Sequence, residues 1–206
     1  AHLAERLVPR TYRRGEVIFH RDDPAGALHF IRDGHVKIVL ITEAGKETLL
    51  ALFSAGDCFG EIAALDGGPR SATAVAVERT ETLALLRDDL IAFLREHPDF
   101  ALEVIALLAI RLRRLDARLE DAYFLDLDGR LARCLLDLAE EGGERTHDGV
   151  RVRMPLSQTD LAAMLGSTRV SVNRLLGAYQ DAGIIAVERD AIVIKDVEGV
   201  RRRLER

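Results

Sequence analysis

Cysteine is scarce in this chain: Cys58 and Cys134, far apart in the sequence, are the only two. They exclude a four-cysteine metal or iron–sulfur ligand set, and they fit a reduced, cytoplasmic setting. Lys37, Lys46 and Lys195 are the only lysines among 29 basic residues, and Asn173 is the sole asparagine. No apolar run approaches the roughly 20 residues needed to span a membrane. The opening residues show no signal-peptide pattern, so no membrane partner is expected. Bulk positive charge is missing too. The net charge is −5; residues 126–206 carry 13 Lys+Arg against 14 Asp+Glu, and residues 1–125 carry 16 against 20. Attraction to a polyanion must therefore come from local placement. Arg201-Arg202-Arg203 is a local concentration of positive charge, although such runs are more often solvated faces. His20, His29 and His35 form no His-x-His pair, and no Ser–His–Asp or Cys–His arrangement is visible by motif, so neither a metal enzyme nor any other enzyme is expected.

What is present suits a globular protein of one or two domains: 206 residues, 48% hydrophobic and 31% charged. Short alternating apolar segments at 17–19, 28–31, 36–41, 48–53, 72–77 and 82–86 read as strands. Gly15, Gly26, Gly34, Gly45 and Gly56 punctuate them at intervals of about ten residues, a spacing that suggests a barrel or jelly roll. Helical pattern in this region is confined to short pieces at its start and near Gly60.

From Pro98 the period changes. Ala101, Ile105, Leu108, Leu112, Leu115, Leu119 and Ala122 are spaced 4, 3, 4, 3, 4, 3. This is a heptad seam on a helix of about 25 residues. The seam could pack on its own domain. Dimerisation through it is the preferred reading, because Val104, Leu107 and Ile110 supply a second apolar side to cover the barrel. Phe124–Gly129 is the expected hinge. A helix over Arg130–Glu141 follows and leads through Gly142-Gly143 into the last part of the chain.

Residues 157–177 then read as two short helices around a glycine turn. Ser157 and Asp160 form a capping box, Leu161, Ala162 and Leu165 supply an inner face, Gly166 suits the turn, and Thr168 caps the next helix. That helix is expected to bury Val172, Leu175, Leu176 and Tyr179. It would present Arg169, Val170, Asn173, Arg174 and Gly177 on its open side. Two arginines, an amide and a methyl-bearing side chain are what base edges in a major groove require. Gln158, Ser167 and Thr168 complete the face expected to touch DNA. A helix pair of this kind is also common simple packing. The two short strands expected within 186–194, around an Arg189-Asp190 turn, favour a winged helix-turn-helix.

The segment Phe59-Gly-Glu-Ile-Ala-Ala-Leu-Asp-Gly-Gly-Pro-Arg-Ser-Ala-Thr73 carries a second kind of chemistry. Gly60 permits close backbone approach, and the Glu61 carboxylate can accept from ribose hydroxyls. A short helix including Ile62 would aim N–H groups at an anion. Arg70 offers a guanidinium fork in a surface-accessible loop, and Ser71 and Ala72 complete the cradle. Glu61 and Arg70 could instead form a salt bridge that merely closes a loop.

This segment resembles the phosphate-binding cassette of cyclic-nucleotide domains. With the roll, the long helix and the winged end, nearly the whole chain resembles the cyclic-AMP receptor / fumarate-nitrate regulator superfamily. The resemblance implies an α+β chain: an N-terminal cyclic-nucleotide-binding-type β-roll (jelly roll) over 1–97, a dimerisation helix over 98–125 and a winged helix-turn-helix over 126–206. It implies a homodimeric, cytoplasmic transcription regulator that binds palindromic double-stranded DNA and works with RNA polymerase. No tightly bound cofactor is implied, with cyclic AMP or another cyclic nucleotide as effector.

Two departures matter. Leu115 and Asp116 stand where the cyclic-AMP receptor offers paired hydroxyls to adenine; leucine cannot hydrogen-bond a base, and ionised aspartate only accepts. Arg169 and Arg174 match that receptor's base-reading arginines, but Val170 replaces its glutamate. In this helix the chain looks closer to the nitrogen-control branch, which senses 2-oxoglutarate. A sensory module whose last domain binds a protein partner, and a regulator active without any effector, are the rival readings.

Overall fold

The computed structural model describes residues 2–204 except 44 and 46. In chain order the elements are α1 (His2–Arg6), β1 (Val8–Tyr12), β2 (Val17–Phe19), β3 (Ala27–Asp33), β4 (Val36–Ile41), β5 (Glu47–Phe53), β6 (Cys58–Phe59), α2 (Glu61–Asp66), β7 (Thr73–Ala76), β8 (Thr80–Leu86), α3 (Arg87–Glu96), α4 (Pro98–Phe124), α5 (Leu127–Gly142), β9 (Glu144–Thr146), β10 (Gly149–Arg153), α6 (Gln158–Met164), α7 (Arg169–Asp181), β11 (Ile185–Val187), β12 (Ala191–Ile194) and α8 (Val197–Arg201). The chain divides into two compact units, residues 1–109 and 110–206, with the boundary inside α4.

The first unit is a β-roll of two four-stranded antiparallel sheets, ordered β1-β8-β3-β6 and β2-β7-β4-β5. Alternation along β3 assigns its faces, since successive side chains of a strand point oppositely. His29 and Ile31 point between the sheets, where Ile31 joins Val36, Phe59 and Ala74 in a buried core backed by Ile18, Phe19, Ile38 and Phe53. Leu28 points the other way. It joins Ala64, Leu85 and Leu90, covered by Leu3, Leu7, Phe30, Cys58, Leu65 and Leu94 from the flanking helices and strands. Gly34 makes the β3–β4 turn at φ +89°, and a Cβ there would lie 2.6 Å from the Arg79 carbonyl.

Several elements have no counterpart in the periodicity reading. Strand β1 pairs with β8 from Val8↔Ala84 to Tyr12↔Thr80, yet its residues are almost all exposed and include Pro9, so no alternation marks it. Strand β6 has only two residues, and α3 buries a single leucine, Leu90.

In the second unit β11 and β12 flank the Arg189-Asp190 turn as expected, but they belong to a four-stranded sheet ordered β11-β12-β10-β9. The fully exposed β9 gave no sequence signal. Leu131, Leu135, Val152, Val172, Leu176, Tyr179, Ile194 and Val200 lie in the buried interior of the second unit. The expected hinge is short, since α4 ends at Phe124 and α5 begins at Leu127, capped by Asp126 accepting from the Gly129 N–H at 2.9 Å. Helix α4 has no buried residue. Among the described residues no helix is long and apolar enough to cross a membrane.

Candidate functional site

Gly60 precedes α2 at φ +79°, in the left-handed region that favours glycine. A Cβ there would stand 2.6 Å from Nη1 of Arg70 and 3.2 Å from the Ala27 carbonyl. The glycine is therefore required twice, by its dihedral angle and by the guanidinium beside it. Arg70 Nη1 donates to the Gly60 carbonyl at 2.9 Å, and Nη2 donates to the Ala27 carbonyl at 2.8 Å. Its guanidinium lies 4.0 Å from the Phe19 ring centroid, a cation–π contact. The backbone around it is fixed as well: the Arg70 N–H donates to the Asp23 carbonyl, and the Asp22 N–H donates to the Arg70 carbonyl, each at 2.9 Å.

Arg70 is consequently only 4% exposed, and the expectation of a surface-accessible arginine is corrected. Sequence shows a polar loop residue. The fold lays the cation on an aromatic ring and engages two of its donors with backbone carbonyls. Burial lowers its pKa, opposed by the charges of Asp23 and Glu61. A guanidinium has five donors, and the two carbonyls do not exhaust them. Ser71 is exposed at its side, Ala72 is buried, Glu61 is half-buried and Ile62 is 48% exposed.

Sequence reasoning found no metal-binding pair at His29 and gave it no further role. The structure places it 7% exposed, in the aromatic layer that includes Phe19. Its ring stacks on Phe59 at 5.0 Å and 13°, with Tyr12 edge-on at 6.5 Å, and Nδ1 lies 3.3 Å from Thr82 Oγ1. Desolvation, aided by the positive charges of Arg70 and Arg10, pushes its pKa from 6.5 down to about 4. The residue stays neutral at pH 7. The signal in the sequence was its place in the β3 alternation beside Ile31. Among the described residues no group of three or more His, Cys, Asp and Glu side chains could hold a metal ion.

On the other face of this sheet a half-open apolar cavity of about 170 Å³ lies between the roll and the start of α4, lined by Leu28, Phe30, Val104, Leu107 and Leu108 among others. Leu108, expected in the seam, therefore faces the roll with Val104 and Leu107. Ala101 is half-buried, and the rest of the seam is open: Ile105 is 60% exposed, Leu112 60%, Leu115 56% and Leu119 57%, and Ala122 is exposed. Ile110, expected to cover the roll, is 46% exposed. Asp116 is exposed on the same helix.

In the second unit the capping box is made. The Ser157 Oγ accepts from the Asp160 N–H at 3.1 Å, and Asp160 Oδ2 accepts from the Ser157 N–H at 3.0 Å. Thr168 Oγ1 accepts from the Ser171 N–H at 3.2 Å and starts α7. Leu161, Ala162, Leu165, Val172, Leu176 and Tyr179 are buried, whereas Leu175 is only half-buried. Gln158, Thr168, Arg169, Val170 and Arg174 are exposed, Val170 to 78%, and Ser167 is half-buried. Asn173 departs from the expected open face. It is half-buried, and its Oδ1 is sealed from solvent with no hydrogen-bond partner. The 3.6-residue period rotates it partly under the helix. The 201–203 arginines do not form a free basic patch, since Arg201, Arg202 and Arg203 pair with Glu198, Asp196 and Asp128 at 3.1, 3.1 and 3.2 Å.

Comparison with known proteins agrees with both halves of this geometry. Residues 9–97 match the model of the cyclic nucleotide-binding domain, and residues 129–203 match that of the Crp-like helix-turn-helix domain. The chain is 33% identical over 203 residues to a CRP-like cAMP-activated global transcriptional regulator of Mycobacterium tuberculosis, covering 98% of this chain and 91% of that protein. It is 36% identical over 187 residues to the cyclic AMP receptor protein of Thermus thermophilus, covering 91% and 83%. A CRP-family transcriptional regulator from Thermus thermophilus superposes with a TM-score of 0.77 at 27% identity, covering 96% of this chain and 97% of that one.

Proposed function

The chain belongs to the CRP-like family of DNA-binding transcription regulators that carry a cyclic nucleotide-binding domain, and from that premise we propose that it acts as a homodimer under the control of a small anionic effector, most simply a cyclic nucleotide. The observation that carries this reading is the start of α7, where Arg169, Val170 and Arg174 stand open on a helix capped at Thr168. Two guanidinium forks suit guanine O6 and N7, and the Val170 methyls suit a thymine C5-methyl. The open seam of Ile105, Leu112, Leu115, Leu119 and Ala122 supports pairing of two α4 helices. A two-fold axis would then set two α7 helices about one DNA turn apart.

In the roll, Gly60, Glu61, Ile62, Arg70, Ser71 and Ala72 form the effector cradle of this reading. The donors of Arg70 not engaged by Gly60 and Ala27, together with the Ser71 hydroxyl, meet the phosphate. Leu115 and Asp116 are the α4 residues assigned to the base. They cannot repeat a paired-hydroxyl contact to adenine, so cyclic AMP should be poorly distinguished from other cyclic nucleotides. The effector acts by binding the DNA-competent arrangement more tightly than the other. The test is selection from a random duplex library with and without cyclic AMP, joined to calorimetric titration with cyclic AMP, cyclic GMP and 2-oxoglutarate. Enrichment of a palindrome supports the reading, and its strengthening by one of these ligands names the effector. No enriched sequence under any condition would overturn it in favour of a protein-binding module.

A further inference from the structure

Arg130, in the second turn of α5, makes two contacts that the reading above does not use. Nη1 donates to the Leu125 carbonyl, in the two-residue break between α4 and α5, at 2.7 Å. Nε donates to the Leu165 carbonyl, at the C-cap of α6, at 3.2 Å. Both acceptors lie where a helix ends and its carbonyls lack intrahelical donors. One rigid planar group thus joins the segment that leaves α4 to the turn that leads into α7.

The surroundings leave little slack at either end. Asp126 caps the Gly129 N–H, and a Cβ on Gly129 would lie 3.2 Å from Cβ of Leu125, so the break is packed directly onto α5. On the other side Leu165 is buried, and its N–H donates to the Leu161 carbonyl at 3.0 Å. Three residues later Thr168 caps α7. The recognition helix is also held to the first turn of α5 from its far end, where the buried Tyr179 donates to the Asp128 carbonyl at 3.3 Å.

We propose that Arg130 is a positioning residue that couples the α4–α5 break to the turn ahead of the recognition helix. A change of backbone direction at Leu125 moves the guanidinium, and the guanidinium carries the Leu165 carbonyl with it. Coupling of this kind is reciprocal, so DNA held by α7 must also steady the break. Lysine cannot replace the function, because a single ammonium lacks the fixed fork that reaches both carbonyls at once. The inference rests on α7 being the DNA-reading helix.

Its test is hydrogen–deuterium exchange on the full chain, alone and with the selected duplex, for wild type, Arg130→Met and Arg130→Lys. In wild type the duplex should slow exchange both at 165–175 and at 125–130, the latter by about tenfold or more, matching a typical coupling. In both variants protection at 165–175 should persist, while the DNA-induced change at 125–130 should be lost. An arginine with only a structural role would raise basal exchange in the variants and leave the DNA-induced change intact. Should Arg130→Met not fold, Arg130→Lys, which keeps the charge, decides alone. Equal protection of 125–130 in wild type and Arg130→Lys, or none in wild type, overturns the coupling while DNA binding stands. Failure of wild type to bind any duplex overturns the DNA reading and the coupling with it.

Discussion

Acid should loosen the β-roll through His29, and the size of the effect follows from where the side chain sits. The imidazole is 7% exposed, stacked on Phe59 and close enough to Arg70 and Arg10 to feel their charge. Its pKa falls from 6.5 to about 4, with desolvation the larger cause. As pH drops, the unfolded chain therefore takes up this proton before the folded chain does. The contribution to stability is complete above pH 6.5, shrinks as pH falls below it, and is lost below about pH 4. At about 1.4 kcal/mol per pH unit, the full effect is about 3 kcal/mol, of which about 2 kcal/mol is gone by pH 5. His29→Phe keeps a ring against Phe59 but cannot titrate. Other ionisable groups are common to both proteins and cancel in the comparison. Urea unfolding of the full chain at pH 7, 5 and 4, with the roll transition identified by hydrogen exchange, should show wild type losing about 3 kcal/mol more than His29→Phe over that range. Parallel pH dependences would refute the reasoning, as would an NMR titration placing the His29 midpoint near 6.5.

Three further outcomes are expected. Arg70→Ala strips the donors from two carbonyls and empties the cation site over Phe19, so the roll should lose about 1–3 kcal/mol of stability. The same change should weaken effector binding by about 2–5 kcal/mol; thermal melts and calorimetry read the two separately, and unchanged values in both would remove Arg70 from the cradle. Leu112→Glu combined with Leu119→Glu places like charges on the open seam and should yield monomers without tight DNA binding; a stable dimer by sedimentation would assign these leucines elsewhere. Arg174→Ala should cost about 1–3 kcal/mol and relax preference at one guanine, within half-sites that keep a guanine next to a thymine. Library selection checks this, and a motif indifferent to the substitution would displace Arg174 from the reading face.

The sequence by itself determined the features whose cause is local. A capping box at Ser157 and Asp160, a glycine at Gly166 and a cap at Thr168 specify two helices and their turn through bonds spanning three or four residues. The 4-3 spacing from Ala101 to Ala122 similarly specified one continuous helix, and the glycine-punctuated alternation of the first half specified a roll. Tertiary structure alone decided what depends on partners distant in the chain. Strand β1 exists because β8 offers it an edge, and nothing in Val8–Tyr12 announces that. Leu108 and Ile110 share the apolar pattern of α4, yet one faces the roll and the other stands half open, because the stripe around a helix is wider than the surface it meets. Asn173 has the spacing of a base-reading residue and is turned partly under its helix. Arg70 and His29 show the same division most plainly. As letters they are a loop cation and a strand histidine. The closing of two sheets around them puts the cation over an aromatic ring and the imidazole in a dry layer, because desolvation depends on every neighbour at once and no window of sequence contains them all.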